Sequence, residues 1–457
     1  MAVDPLEGRS LEPADPHEIV SFSVVCQPAP GVDLARFRQI MWKAPLQEIL
    51  PAPETIRRVT EQLRDRGIEV LESKSPILCA KCTVAKFEST FGGKLVHAVL
   101  PANDEYGSEP TSAIVLDPES PPPSTAGIDG ALFLILVPPP KLATPRIPYA
   151  TPGLNLHLPG DIAQLTKSSA VHRHLTTLGR PATGDGVTVA VVDSGFATHK
   201  YFTDHGYAIQ RIAAWDSADP ASDPSVHGTW VLANLLACAP DVSAVAIKHN
   251  QVDIAFEAAV FRPKVAVISL SWYYELDGSA PPPDYLFSLY ALIKLAVEDK
   301  NIVVVVAAGN GETETFPASM EEVIAVGGVT IDTADALSVW VDSSAYATTF
   351  VRGRDVPDLC GIAGSMMLPA GVTSVHPEGW RDKDGATSAA TAQVAGVAAL
   401  LVQKDPTQTP AQIRAVMKAK ATDIVLGTTA SGVAAQHGPD LATGAGLVNA
   451  LAAWNAI

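Results

Sequence analysis

The second half of the chain contains three continuously apolar stretches rich in β-branched residues, at 187–192, 265–270 and 302–307. A strand with one solvated face alternates apolar and polar residues, whereas a parallel strand buried on both faces gives an unbroken apolar run. Segments with helical spacing lie between and after these runs, at 228–239, 251–262, 284–298 and 410–420. This alternation predicts an α/β fold, a doubly wound and mostly parallel sheet with helices on both faces.

The first part of the chain has a different order of elements. Its pattern predicts strands at 19–25, 68–71, 77–82 and 94–100, and helices at 53–66 and 83–91. The order β-α-β-β-α-β is typical of a ferredoxin-like fold, so we expect a smaller N-terminal α+β domain. A further, strongly apolar strand is predicted at 131–137.

Proline marks the boundary between the two parts. Residues 138–153 contain six prolines, and proline favours extended, unpaired backbone. We therefore predict a flexible lead at 1–17, a ferredoxin-like domain at 18–137, a Pro-rich linker at 138–180 and an α/β domain at 181–457.

Charge and cysteine content exclude several classes of function. The chain has 457 residues with 49 acidic and 32 basic side chains, a net charge of −17, which argues against a nucleic-acid partner. No apolar run reaches the roughly 18 residues of a membrane span, and the acidic N-terminus has no signal-like apolar core, so we expect a cytoplasmic protein and no membrane partner. Five cysteines, an odd number, argue against a secreted disulfide framework. The pair Cys79 and Cys82 is a lone CxxC, which fits two thiols on one strand better than a metal or redox site.

Two polar residues stand where the sites of parallel sheets form. Asp193 follows directly on a predicted buried strand, and His227 opens a predicted apolar helix within His227-Gly228-Thr229. Carboxyl ends of parallel strands carry the sites of open α/β sheets. Taken alone, the aspartate also fits a turn former, and the histidine also fits a helix cap.

A serine and an asparagine complete the set. Ser388 begins a helix of small and apolar residues directly after a glycine turn, and helix N-termini favour negative charge. Asn310 follows a buried strand, from which a side-chain amide can donate to an oxyanion. The alternatives are a serine cap of a buried helix and an ordinary Gly-Asn turn.

The chain order of these residues is Asp, His, Asn, Ser. Together with the segments VVDSG, HGT, VISLSW, AAGN, FPAS, VIAVGGV and ATSAATAQVAG, the region 160–457 resembles the subtilisin-like serine protease family, the subtilases. The resemblance implies Ser388 as nucleophile, His227 as general base and Asp193 as the residue that orients the imidazole. It also implies Asn310 and the Ser388 backbone N–H as oxyanion donors, without metal or other cofactor. Calcium sites are frequent in this family, but no DxDxDG-like loop is present, so calcium is left open.

The resemblance also places the substrate. A peptide is expected to bind as an extended strand along Ser271, Trp272 and Tyr273, with Ala308 and Gly309 opposite and the specificity pocket between them. The family usually has small residues after Ser-Leu-Ser, so the two aromatic rings predict a narrow cleft and a selective protease.

Other positions depart from the family pattern without removing a catalytic residue. Trp230 stands where the family usually has His, and Ala392 and Gln393 stand where it has Pro and His. Glu312 and Glu314 lie in a loop that borders the pocket by resemblance; they can favour a basic substrate residue, but solvated loop acids are the stronger interpretation.

The N-terminal domain invites a second comparison. Residues 54–95 resemble the pro-domain of the sedolisins, which use a Glu-Asp-Ser set where this chain has Asp-His-Ser. The expected partners are therefore a protein or peptide substrate and the protein's own N-terminal domain as an intramolecular inhibitor, whose tether gives an effective concentration approaching about millimolar. A permanent structural domain is the alternative. For the whole chain, a peptide ligase using the same acyl-enzyme and an inactive, protease-like binding module remain open.

Overall fold

The computed structural model describes residues 10–71, 75–100, 111–137, 156–177, 179–223, 225–276, 278, 281–332, 334–363, 366–369, 380–383 and 386–457. The chain divides into two compact units. Among the described residues, the N-terminal unit holds 10–137 and Pro281–Leu295, and the catalytic unit holds 156–278 and 296–457. Residues 1–9 of the predicted lead and 138–155 of the predicted linker lie outside the described residues.

The described residues between 10 and 137 form seven strands and four helices. The strands are β1 (Ser10–Pro13), β2 (Ile19–Cys26), β3 (Glu69–Val70), β4 (Ile77–Thr83), β5 (Leu95–Leu100), β6 (Thr111–Leu116) and β7 (Ala131–Ile135). The helices are α1 (Leu34–Ile40), α2 (Leu46–Ile49), α3 (Pro53–Asp65) and α4 (Val84–Phe91).

The rest of the described chain carries the larger set. Its strands are β8 (Leu156–His157), β9 (Thr188–Asp193), β10 (Ile209–Ala213), β11 (Ser243–Lys248), β12 (Val265–Leu270), β13 (Tyr274–Leu276), β14 (Val303–Ala307), β15 (Glu314–Phe316), β16 (Ile324–Ile331), β17 (Leu337–Val339), β18 (Tyr346–Ala347), β19 (Asp355–Val356), β20 (Leu359–Ile362), β21 (Met366–Pro369) and β22 (Trp380–Lys383). Its helices are α5 (Gly160–Leu165), α6 (Ser168–Val171), α7 (Lys200–Asp204), α8 (His227–Cys238), α9 (Val252–Val260), α10 (Phe287–Lys294), α11 (Thr387–Lys404), α12 (Pro410–Ala419) and α13 (Ala450–Trp454), with a 3₁₀ turn at Asp284–Leu286 and a π turn at Leu295–Asp299.

The N-terminal unit has the strand order of a ferredoxin-like sheet, but its fourth strand is not the predicted one. The four-stranded antiparallel sheet runs β3-β4-β2-β7 and packs against α3 and α4 through buried side chains such as Val59, Leu63 and Phe87. The segment predicted as fourth strand, 94–100, instead pairs as β5 with β1 and β6 in a separate sheet. β5 therefore pairs with β6 in a local hairpin and with β1, whose residues 10–13 belong to the predicted flexible lead.

A segment from the middle of the chain completes the core of the N-terminal unit. The predicted helix 284–298 was assigned to the α/β domain, yet Pro281–Leu295 groups with the N-terminal unit. The ring of Phe287 lies 5.1 Å from that of Phe37 and 5.8 Å from that of Trp42, and the Tyr290 hydroxyl donates to the Trp42 carbonyl at 3.2 Å. Periodicity predicts that such a helix is buried, but it does not say against which part of the chain.

The catalytic unit has the predicted α/β architecture. Its main sheet runs β10-β11-β9-β12-β14-β16-β17, with β20 also paired to β16, and every pair except β16 with β17 is parallel. The sheet order places β9 between β11 and β12, so the residues that follow these three strands meet at one edge. Helices α8 and α11 pack together in the core.

The catalytic unit begins earlier along the chain than predicted. Residues 156–177 were assigned to the linker, but they contain β8, α5 and α6, and Leu156, Ile162 and Val171 belong to the main apolar cluster. The two helices, of six and four residues, are too short to give a clear helical periodicity in the sequence.

Close packing of α8 against α11 depends on a glycine. An added Cβ on Gly396 would lie 2.8 Å from the Cβ of Cys238 and 2.8 Å from the carbonyl oxygen of Leu235. Because one of these contacts is backbone, the two helices must move apart to admit a methyl group.

We predict that Gly396→Ala lowers the free energy of unfolding by about 1–3 kcal/mol, the usual cost of overpacking a core. Gly160→Ala is the matched control, since no atom lies within 4 Å of its added Cβ. Denaturant unfolding of both variants checks the prediction, and equal stability of the two would contradict it.

Candidate active site

The predicted catalytic residues lie at the carboxyl edge of the main sheet. Asp193 is the last residue of β9, Trp272 follows two positions after β12, and Asn310 follows three positions after β14. His227 and Ser388 come from the first turns of α8 and α11. Polar residues at the ends of strands and helices that are distant in sequence thus lie together at the carboxyl edge of the sheet, as expected for an open parallel sheet.

Asp193 and His227 form a short, buried contact. The Nδ1–H of His227 donates to Oδ1 of Asp193 at 2.7 Å, and the same oxygen accepts the Ser194 backbone N–H at 2.7 Å. Complete burial would raise the pKa of Asp193, but the charge of His227 and these hydrogen bonds hold it below its ordinary value. The ionised carboxylate can only accept, so it fixes the proton on Nδ1 and leaves Nε2 free to act as a base.

The other ring nitrogen faces the serine. His227 Nε2 lies 3.0 Å from Oγ of Ser388, which is the second residue of α11 and only 2% exposed. Asp193, His227 and Ser388 therefore form one continuous hydrogen-bonded chain. That chain can move a proton from the hydroxyl to the imidazole while the carboxylate stabilises the resulting charge.

A residue missed by the sequence analysis holds His227 in place. Asp223 accepts hydrogen bonds from the backbone N–H and hydroxyl of Thr229, at 2.9 and 2.5 Å, and from the Ser194 hydroxyl at 2.8 Å. It thereby satisfies the Thr229 N–H in the first turn of α8, where the Ser225 and Ser194 hydroxyls accept the N–H groups of His227 and Gly228. An aspartate four positions before a predicted helix can indicate a capping residue. Pro224, which lies between Asp223 and the helix, makes this pattern hard to recognise in the sequence.

Asn310 is oriented by a second residue that the sequence did not indicate. Its Oδ1 accepts the backbone N–H of Thr387 at 2.9 Å and the Thr387 hydroxyl at 2.7 Å. With the amide oxygen held in this way, the Nδ2 group is the one left to donate toward the neighbouring Ser388. This orientation is the one that an oxyanion donor needs.

Two of the predicted substrate-binding residues contact Ser388 or His227. Ser271 donates to the carbonyl oxygen of Ser388 at 3.3 Å, and the Trp272 ring lies 5.2 Å from the ring of His227. Ala308 is fully buried and both of its backbone polar groups are already paired, since its N–H donates to Val326 and its carbonyl accepts the Thr315 hydroxyl. It therefore contributes shape rather than a free hydrogen-bonding group.

A second histidine lies behind Trp272. The backbone N–H of His249 donates to the Asp193 carbonyl at 3.1 Å, and its ring lies 5.4 Å from that of Trp272. Burial lowers the pKa of His249 to about 4, so this imidazole is neutral near pH 7. His227 is the imidazole whose ring nitrogen pairs with the Asp193 carboxylate.

The departures noted in the sequence have structural roles. Trp230 is buried on α8, and Gln393 links three segments by accepting the Ile362 N–H and donating to Asn234 and to the Ile362 carbonyl. Glu314 is also buried rather than solvated, and it accepts hydrogen bonds from the hydroxyls of Ser319, Thr348 and Thr349. It anchors the 348–350 loop, so it is not free to pair with a basic substrate residue.

The Cys79 and Cys82 thiols are both buried in β4, and their spacing of three positions turns them to opposite faces of the strand. Across the described residues, no cluster of three or more histidine, cysteine or carboxylate side chains is arranged to hold a metal ion. None of the helices within the described ranges combines the length and hydropathy that a membrane span requires.

Comparison with known proteins agrees with this geometry. The sequence model described as "Subtilase family" matches residues 184–446. The chain belongs to the subtilase family. It is 30% identical over 292 residues to subtilisin E of Bacillus subtilis (strain 168), a match that covers 58% of this chain and 66%, just under two thirds, of that protein. It is 28% identical over 297 residues to mycosin-4 of Mycobacterium tuberculosis, covering 54% of this chain and 62% of that protein.

A solved structure of low sequence identity shares the fold of this subtilase. Pseudomonas sedolisin matches with a TM-score of 0.54 at 16% identity, over 67% of this chain and 98% of its own. MycP1 from Mycobacterium smegmatis gives a TM-score of 0.47 at 21% identity, over 67% and 87%.

We predict that Thr387→Val slows phosphonylation of Ser388 by a fluorophosphonate about threefold to tenfold, because Asn310 loses one of the two hydrogen bonds that orient it. Labelling rates measured by gel fluorescence check this. Thr391→Val is the control, since its hydroxyl donates to the Thr387 carbonyl one turn along the same helix and not to Asn310. Equal slowing in both variants would show a general effect on α11 instead.

Proposed function

We propose that this subtilase is a serine endopeptidase that hydrolyses peptide bonds of a selective protein or peptide substrate through an acyl-enzyme. The observation that carries the proposal is the continuous chain of hydrogen bonds from Asp193 through His227 to Ser388, at 2.7 and 3.0 Å. These contacts support Ser388 as nucleophile, His227 as base and Asp193 as orienting carboxylate.

The reaction follows from these contacts. Nε2 of His227 takes the hydroxyl proton while Oγ of Ser388 bonds to the substrate carbonyl carbon, and the oxygen of the tetrahedral intermediate lies beside Nδ2 of Asn310 and the Ser388 N–H. The imidazolium then gives its proton to the departing amine as the C–N bond breaks. Water, deprotonated by the same imidazole, releases the acid and restores the serine. The mechanism requires no metal.

We predict that wild-type protein is labelled by a fluorophosphonate probe and that Ser388→Ala is not, while His227→Ala labels far more slowly because the hydroxyl keeps its proton. In-gel fluorescence with intact mass measures both, and thermal unfolding shows that the variants are folded. An unlabelled wild type would favour the inactive binding module. A peptide product joined to an added amine, seen by mass spectrometry, would favour the peptide ligase.

The N-terminal unit is proposed to restrain the enzyme. A domain tethered through the Pro-rich segment stays at high effective concentration and can compete with substrate for the cleft. The second candidate role is a permanent structural domain, and Pro281–Leu295 favours it because this segment, which lies between the motifs of the active site in sequence, supplies Phe287 and Tyr290 to the core of that unit.

Cutting the linker distinguishes these roles. A site-specific protease sequence replacing residues 141–146 should allow cleavage, after which we predict a rise in peptide hydrolysis that is larger when Trp42→Ala also weakens the packing against Phe287. Activity before and after cleavage, with gel filtration of the fragments, provides the measurement, and the Ser388→Ala background controls for the added protease. Unchanged activity with fragments that stay together would assign the structural role.

A further inference from the structure

One side chain spans the two segments that flank the reacting groups. The hydroxyl of Tyr273 accepts the backbone N–H of Asn310 at 3.0 Å. Tyr273 follows β12 and Asn310 follows β14, so the phenol ring reaches from one strand end to the other. It contacts the very residue whose side-chain amide is placed to hold the substrate oxygen.

The connection between the two strand ends continues beyond the Tyr273 ring. Immediately after Tyr273, strand β13 pairs antiparallel with β15, in the register Tyr274 with Phe316 and Leu276 with Glu314. The Thr315 hydroxyl donates to the Ala308 carbonyl at 2.7 Å, which connects β15 to the end of β14. The two segments are thus joined by backbone and side-chain hydrogen bonds.

Little space remains around this ring. Tyr273 is only 7% exposed, and burial raises the pKa of its hydroxyl, which stays neutral and hydrogen-bonded. On the far side, an added Cβ on Gly309 would lie 2.7 Å from Oγ of Ser344 and 2.7 Å from Cγ2 of Thr315. The space at the Cβ position of Gly309 is therefore filled by the protein's own atoms.

The position of the substrate follows from the reacting atoms. Its carbonyl carbon must approach Oγ of Ser388 while its oxygen lies beside Nδ2 of Asn310. The peptide placement implied by the subtilase resemblance puts the side chain next to that carbonyl between residues 271–273 and 308–309. The Tyr273 ring reaches across this space, since its hydroxyl accepts the Asn310 N–H. Glycine places nothing there and alanine only a methyl group, whereas a larger side chain must displace the ring and break its hydrogen bond.

We propose that Tyr273 is a specificity-determining residue that restricts this protease to peptides with glycine or alanine immediately before the scissile bond. The inference rests on the proposed function and narrows it to a substrate class.

A matched set of peptides tests the proposal, identical except for Gly, Ala, Leu or Phe before the scissile bond. We expect wild-type kcat/KM to be at least tenfold higher for Gly or Ala than for Leu or Phe. In Tyr273→Ala the ratio of kcat/KM for Gly over Phe should fall at least tenfold, because the ring no longer occupies the site. Tyr273→Phe is the control for the hydroxyl, since it keeps the ring and should keep the order of preference.

Labelling of Ser388 by a fluorophosphonate counts the active molecules in each preparation, so failure of the two proposals can be told apart. Unlabelled wild type overturns the proposed function. Labelled wild type that cleaves after Leu or Phe as readily as after Gly overturns the role of Tyr273 instead, as does an unchanged preference in Tyr273→Ala. If Tyr273→Ala does not fold, the wild-type preference itself decides, with Tyr273→Phe expected to match it.

Discussion

The hydrogen bond between Asp193 and His227 is the interaction on which the site depends. It places a carboxylate in a fully buried position, where an ionised group is stable only with matched donors. The His227 imidazole and the Ser194 N–H supply those donors at 2.7 Å each. In return the carboxylate selects the tautomer of the ring, so that the nitrogen facing Ser388 is the one without a proton.

Two buried helices keep that geometry fixed. α8 begins at His227 and α11 begins one residue before Ser388, and the two pack so closely that Gly396 meets the backbone of Leu235. Each reactive side chain therefore stands on the first turn of a helix that is packed in the core. Asp223 and Thr387 then refine the site locally, the first by holding the start of α8 and the second by orienting Asn310.

The substitutions that distinguish this chain from the usual family pattern act on shape rather than on chemistry. The aromatic rings at 272 and 273 fill space beside the reacting residues and leave the hydrogen-bonded chain intact. Aromatic rings also fill the core of the N-terminal unit, which includes Phe287 and Tyr290 from the middle of the sequence.

The α/β class could be predicted from apolar runs that a parallel sheet buries on both faces, and the motifs identified the aspartate, histidine, asparagine and serine. The long-range pairing of segments became visible in the folded chain: β7 instead of β5 lies beside β2, residues 156–177 belong to the catalytic unit, and Pro281–Leu295 belongs to the N-terminal unit. The structure also shows that the Tyr273 ring points inward, with its hydroxyl bonded to Asn310, and that Glu314 accepts hydrogen bonds from the 348–350 loop. The physical reason is that periodicity records whether a side chain is buried, whereas its partner and direction depend on packing among residues far apart in the chain.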